Sequence, residues 1–235
     1  VNMNFVKRTW AEISLDAIAH NFNEIKNKVN GNSKICCVIK ADGYGHGAAE
    51  LANIYDELGA DFFAVSNIDE GIEIRNSGCK LPIVILGYTP VADAKRLSDY
   101  DISQAVFSLE YAKSLSDECV KQNCTCKIHI KVDTGMSRIG FMCQQFPRDD
   151  YSIKEILEVC NLPNLSLEGL FTHFCVSDEA EEGREFTQRQ YQNFIYAKNA
   201  IQSNGINIKY VHCSNSGAIE DYPYTYCDMV RAGII

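Results

Sequence analysis

One lysine in this 235-residue sequence sits where an amine could become a nucleophile. Lys40 closes the apolar run Ile35-Cys-Cys-Val-Ile39 and opens the stretch Lys40-Ala-Asp-Gly-Tyr-Gly-His-Gly47. At the edge of a buried strand its amine would lose part of its hydration, and desolvated lysines near other cations form Schiff bases. The competing reading is a lysine that snorkels to solvent. The glycines at 43, 45 and 47 would let backbone approach a ligand closely, and Tyr44 and His46 add polar tips. Further polar groups recur along the chain: Asp133 to Arg138, His173, Ser214 to Ser216, and Arg231 to Gly233. Each of them alone could be no more than a solvated strand end.

Short apolar runs precede each of these groups. Strands are expected at Ile35–Ile39, Phe62–Val65, Ile83–Leu86, Gln104–Phe107, Lys127–Val132, Ser166–Phe171, Ile208–His212 and Asp228–Arg231, and they read as β-branched or apolar at nearly every position. That composition suits parallel strands buried on both faces. Helical patterns lie between them at Ala48–Leu58, Leu109–Lys121, Ile153–Cys160 and Glu185–Ser203. Ahead of the first strand, Leu15, Ile18, Phe22, Ile25 and Val29 form one stripe at spacings of three and four. Eight strands alternating with helices fit an α/β fold of the (β/α)₈ TIM-like barrel type over residues 1–235. An open doubly wound sheet would want G-x-G-x-x-G after its first strand, and that spacing is absent. In a barrel the active site lies at the C-terminal ends of the strands, where the polar groups gather.

Composition narrows the class of function. Thirty-one acidic against 22 basic residues give a net charge of −9, a poor match to nucleic acid or an anionic membrane surface. No apolar run approaches the length of a membrane span. Eleven cysteines lie within apolar or helical segments, with no C-x-x-C pair, so reduced thiols in a cytoplasmic protein are expected. Cys124-Thr125-Cys126 comes nearest to a metal motif but has no second half, and no metal is expected. Val1 in place of an initiator methionine, and an end inside the apolar run Ala232-Gly233-Ile234-Ile235, predict that the polypeptide continues.

Taken together, the blocks resemble the alanine racemase family, whose N-terminal domain is a barrel that binds pyridoxal 5'-phosphate (PLP). Lys40 to Gly47 looks like the PLP signature and Lys131-Val-Asp-Thr-Gly-Met-Ser-Arg-Ile-Gly140 like the second block. Leu170-Phe-Thr-His173, His212-Cys-Ser-Asn-Ser216 and Asp228-Met-Val-Arg231 with Gly233 match three more, in the family's order. Two departures are small: Asp42-Gly43 stands where Asn-Ala is commoner, and Ala232 where proline often sits. The resemblance implies that Lys40 carries PLP as a Schiff base and is the base for one face of the substrate Cα. Arg231 would donate to the pyridine nitrogen and keep it unprotonated, with His212 holding that arginine from behind. Tyr44, Asn215, Ser216, Gly233 and Ile234 would hold the cofactor around its phosphate, with His173 beside the ring and Leu86 on its other side. Arg138 would bind the phenolic oxygen and the substrate carboxylate. Lys131 resembles a lysine that is carbamylated in many members and then orients Arg138.

The family's second base, a tyrosine, belongs to a C-terminal β domain of the partner subunit, beyond this chain. Residues 1–14 would contribute a strand to that domain, and Tyr222, Tyr224 and Tyr226 do not take the tyrosine's place. The implied protein is a cytoplasmic homodimer that interconverts L- and D-alanine and supplies D-alanine for peptidoglycan. Alternatives within reach of the sequence are the serine/alanine racemase domain of a resistance protein and a non-catalytic PLP-binding barrel. A PLP decarboxylase of the same fold usually opposes the pyridine nitrogen with a carboxylate, and Arg231 speaks against it.

Overall fold

A computed structural model of the protein describes residues 9–31 and 33–233. Residues 9–14 run without regular structure; the rest of the N-terminal strand expected over 1–14, at 1–8, lies outside the described residues. Helix α1 (Leu15–Val29) then begins where the Ser14 hydroxyl accepts from the Ala17 amide at 3.2 Å. It buries Phe22, Ile25 and Val29, whereas Leu15, the first residue of the expected stripe, is exposed. Strand β1 (Lys34–Val38) follows, then a turn over Lys40–Gly45, α2 in chain order, and helix α3 (Ala48–Leu58). The chain continues through β2 (Phe62–Val65), α4 (Ile68–Asn76), β3 (Ile83–Ile85), α5 (Ala94–Asp99), β4 (Ile102–Val106) and α6 (Leu109–Lys121). Its second half is β5 (Cys126–Asp133), β6 (Phe141–Met142), α7 (Asp150–Cys160), β7 (Leu165–Phe171), α8 (Ala180–Ser203), β8 (Tyr210–His212), α9 (Ser216–Asp221) and β9 (Met229–Ala232). Asn67, Ser108 and Asn215 cap α4, α6 and α9 as Ser14 caps α1.

The strands pair in parallel in the order β8-β7-β5-β4-β3-β2-β1-β9. Between β8 and β9 the Asp228 amide donates to the Val211 carbonyl at 3.0 Å and the Arg231 amide to the Ser214 carbonyl at 2.9 Å, which brings the sheet round into a barrel. All eight expected strands are present within two residues at each end. The short β6 was not anticipated; it pairs with the end of β5. Outside the barrel Phe63, Ile83, Ile128 and Ile130 pack against Phe22, Ile74, Leu115 and Phe194 of the helices. Each fully buried side chain of this size contributes about 1.5–3 kcal/mol. Inside, Cys36, Phe62, Ala64, Val84, Tyr210 and Met229 form a second, smaller apolar cluster.

Strand β5 departs from the all-apolar expectation. Ile128, Ile130 and Val132 alternate with Lys127, His129, Lys131 and Asp133, so one face meets the helices and the other the barrel interior. Pairing between β5 and β7 shifts register at Ile128/His129, with Glu168 as the extra residue. After the shift Gly169 lies opposite His129.

Candidate active site

Lys40 leaves β1 just before an unusual piece of backbone. Ala41, Asp42, Gly43 and Tyr44 all lie in the left-handed region, with φ from 50° to 61°. For a non-glycine residue that conformation costs roughly 1–2 kcal/mol, so local contacts must hold the turn. Glu70 accepts from the Ala41 amide at 3.0 Å and from the Ser66 amide at 2.8 Å. Asp42 accepts from the Ala48 amide at 2.8 Å, which ties the turn to α3. This corrects the expected role of the glycines. Gly43, Gly45 and Gly47 all have positive φ, so they shape the turn, and none of them lines the cavity at the strand ends. His46 bonds the Gly43 carbonyl and faces away from the site, while Tyr44 faces it.

A cavity of about 580 Å³ opens at the C-terminal end of the strands. It is lined by Lys40, Tyr44, Leu86, Lys131, Arg138, His173, Asn215, Ser216, Arg231 and Gly233, every expected site residue except two. Ile234 lies outside the described residues. His212 sits one layer deeper, fully buried behind Arg231. Four of the lining side chains are basic and one, Asp178, is acidic, so basic groups predominate in the cavity of a chain of net charge −9. A second cavity of about 740 Å³ lies outside the barrel between α1 and α3. It is larger, but among the described residues it is lined by no lysine or arginine, and it shares Val38, Tyr44 and Gly233 with the first.

Arg231 is 3% exposed and lies within β9, not beyond it. Among the described residues its guanidinium has no carboxylate partner. Nη1 donates to His212 Nδ1 at 2.9 Å, and Nη2 donates to the Thr172 carbonyl at 2.8 Å and the Cys213 carbonyl at 3.2 Å. Five N–H donors minus these three leaves two for a ligand in the cavity. Phe171, which sequence reading missed, stacks on His212 at 4.9 Å. It also lies 5.3 Å from Lys131 Nζ and 5.7 Å from Arg231 Cζ. Its place at the end of β7 on the face of Gly169 was the available signal.

Burial and neighbouring cations act together here. Desolvation, with help from Arg231 and Arg138, pulls the Lys131 amine down to about 7. Desolvation and then Arg231 hold His173 at about 3, so its imidazole is neutral. Arg138 stands exposed at the mouth and makes no ion pair among the described residues. Asp133 shapes the loop before it, accepting from the Gly135 and Ser137 amides at 2.9 and 3.0 Å. On the opposite wall the Gly233 amide donates to the Ser216 hydroxyl at 3.1 Å. A Cβ at Gly233 would lie 3.2 Å from the Tyr44 hydroxyl, so a side chain there would crowd that corner. Among the described residues no group of three or more His, Cys, Asp or Glu could hold a metal ion.

The buried histidines set an acid limit. Burial holds His129 at about 3 and His212 well below its ordinary value, so both are neutral when folded and take up protons when unfolded. Their penalty is absent above about pH 6.5 and grows as pH falls toward 3, at up to about 1.4 kcal/mol per pH unit for each group. Urea midpoints are expected to fall steeply below about pH 6, and less steeply in His129→Asn.

Residues 13–235 match the family model described as "Alanine racemase, N-terminal domain". The alanine racemase of Clostridium perfringens strain SM101 is 46% identical over 230 residues, which are 98% of this chain and 58% of that protein. Alanine racemase 1 of Caldanaerobacter subterraneus subsp. tengcongensis is 41% identical over 230 residues, with the same two coverages. Among solved structures, alanine racemase of Clostridium difficile 630 superposes with a TM-score of 0.90 at 40% identity, covering 98% of this chain and 58% of that one. The alanine racemase of Bacillus anthracis with bound L-Ala-P gives 0.86 at 33% identity, covering 99% and 58%. The chain therefore spans just under three fifths of the length of these relatives.

Proposed function

The chain belongs to the family of alanine racemase N-terminal domains, and from that premise we propose that it is the PLP-binding barrel of an alanine racemase. One observation carries the reading: Lys40 and a buried, carboxylate-free Arg231 line the same cavity. The residues fit the cofactor. An amine without an anionic partner suits its aldehyde, two spare guanidinium donors suit a ring nitrogen, and the Tyr44–Ser216–Gly233 corner suits its phosphate.

When bound, PLP withdraws electrons from the Cα–H bond of an amino acid joined to it. The chain's own groups do the rest. Lys40 Nζ would hold the cofactor, and as a free amine the same nitrogen would take or give a proton on one face of Cα. Arg231 would donate to the ring nitrogen and, because it releases no proton near neutrality, would leave that nitrogen unprotonated. Arg138 at the mouth meets the substrate carboxylate. Lys131, pulled down to about 7, is in part a neutral amine that could add carbon dioxide with release of a proton, and the resulting carbamate would pair with Arg138. The alanine substrate, a homodimer and a cytoplasmic site belong to the same proposal. Eleven free thiols support the last, and no helix among the described residues is long and apolar enough to cross a membrane.

Incubation with PLP and either alanine enantiomer in D₂O tests it. Loss of the Cα–H signal is expected for one enantiomer well above the rate with free PLP. PLP held on Lys40 without faster exchange would mark the barrel as a binder and overturn the proposal.

A further inference from the structure

Behind Arg231 the hydrogen bonds run one residue deeper than the family pattern assigned. His212 Nδ1 lies 2.9 Å from Arg231 Nη1, and His212 Nε2 lies 2.9 Å from His129 Nδ1. A guanidinium only donates, so His212 Nδ1 must be the acceptor and carries no proton. The ring's single proton is then on Nε2, directed at His129. His129 Nδ1 must accept in turn, which puts the proton of His129 on its own Nε2. That atom is buried and has no protein partner among the described residues. A doubly protonated ring anywhere in the chain would place two donors face to face. Burial and the nearby Arg231 cation disfavour that form at both histidines.

The barrel is built around this ring. The register shift at Ile128/His129 sets Gly169 beside it, and a Cβ on Gly169 would lie 2.2 Å from His129 Nδ1. Only glycine leaves room for the imidazole there. Tyr210 lies nearly parallel to the His129 ring at 6.2 Å, and Phe62 meets it edge-on at 5.9 Å. A buried polar ring beside the apolar cluster of Phe62, Tyr210 and Met229, accommodated by a bulge and a glycine, points to a role beyond packing.

We propose that His129 is a positioning residue: by accepting from His212 Nε2–H it fixes the tautomer of His212, and so holds Arg231 with its two free donors toward the cavity. The assignment rests on the reading of Arg231 as the partner of the cofactor's ring nitrogen. Loss of the His129 acceptor leaves His212 Nε2–H unsatisfied, and that ring can then rotate or exchange tautomers. Arg231 would lose one of its three fixed contacts.

Nitrogen-15 NMR of the cofactor-free chain tests the chemistry directly, since five histidines can be assigned by single substitution. His212 and His129 are both expected as single Nε2–H tautomers throughout the neutral range. His129→Leu should abolish the single His212 tautomer and shift the Arg231 side-chain resonances. His129→Asn, whose Oδ1 can accept where Nδ1 did, should restore both. In the PLP-loaded chain, His129→Leu should slow maximal Cα exchange by roughly 10-fold or more with little change in half-saturation, as outer-shell partners do elsewhere. An Nδ1–H tautomer of His212 in the unaltered protein would overturn the proposal, and so would a His129→Leu spectrum matching the parent. If His129→Leu fails to fold, the parent spectrum and His129→Asn decide. Failure of PLP to attach at Lys40 would instead count against the functional reading and leave the tautomer result standing.

Discussion

Lys40→Ala is expected to end covalent retention of PLP and to lower Cα exchange by at least about 10²–10⁴-fold, the usual contribution of one positioned base. The rival amine is Lys131, which lines the same cavity and, pulled down to about 7, is partly neutral near pH 7. Its partly unprotonated amine makes Lys131 a credible nucleophile. Access argues the other way, because Lys131 is 2% exposed beneath Phe171 and Arg231 whereas Lys40 is half-buried at the rim. The left-handed turn after Lys40 strengthens the argument. Strain of roughly 1–2 kcal/mol at each of Ala41, Asp42 and Tyr44 persists only where the surrounding structure holds it, and such strain collects at functional sites. Borohydride reduction followed by peptide mapping is expected to place the pyridoxyl group on Lys40 in the parent chain and in Lys131→Ala. A pyridoxyl group on Lys131 in the parent, or unchanged exchange in Lys40→Ala, would remove Lys40 from its proposed place.

The strands were legible because a parallel barrel buries them on both faces, which leaves runs such as Phe62–Val65 apolar throughout. The site was legible because the same topology brings every strand end to one rim, so Lys40, His173, Ser216 and Arg231 converge although far apart in sequence. Backbone handedness was less visible. Gly43 looked like an opening for a ligand, yet it is one of four left-handed residues in series. Its departure from the family's commoner alanine fits that conformation, since glycine occupies it without a Cβ penalty. His129 was overlooked for a different reason. Scored as an apolar run, Lys127–Val132 hid a strict alternation of polar and apolar residues, and the polar face proved to be the interior one. Glu168 and Gly169 gave no local warning, because a bulge is defined by register against a partner strand and not by either residue type.

Assayed alone, these 235 residues are expected to form D-alanine from L-alanine at least about 10²–10⁴-fold more slowly than the Clostridium perfringens alanine racemase at equal PLP occupancy. Racemisation removes a hydrogen from one face of Cα and delivers one to the other, so it needs two placed groups. Lys40 supplies one. The three C-terminal tyrosines and His173 do not supply the second, on grounds of geometry or basicity. Tyr222 is buried, with its hydroxyl 3.3 Å from the Ala180 carbonyl, and the Tyr226 hydroxyl donates to the Ile219 carbonyl at 2.7 Å. Tyr224 is exposed and packs on Tyr191 and Tyr222. None of the three lines the cavity. His173 does line it, but at about 3 its imidazole is a poor base near neutrality. Exchange and racemisation should therefore separate in this chain: deuterium enters at Cα while the configuration is largely kept, because the same amine, after exchanging its proton with D₂O, delivers a deuteron to the face it deprotonated. Chiral chromatography of the alanine recovered from D₂O measures both at once. If D-alanine appears as fast as deuterium does, a second base lies within these residues, and the case for a tyrosine supplied by a C-terminal domain falls.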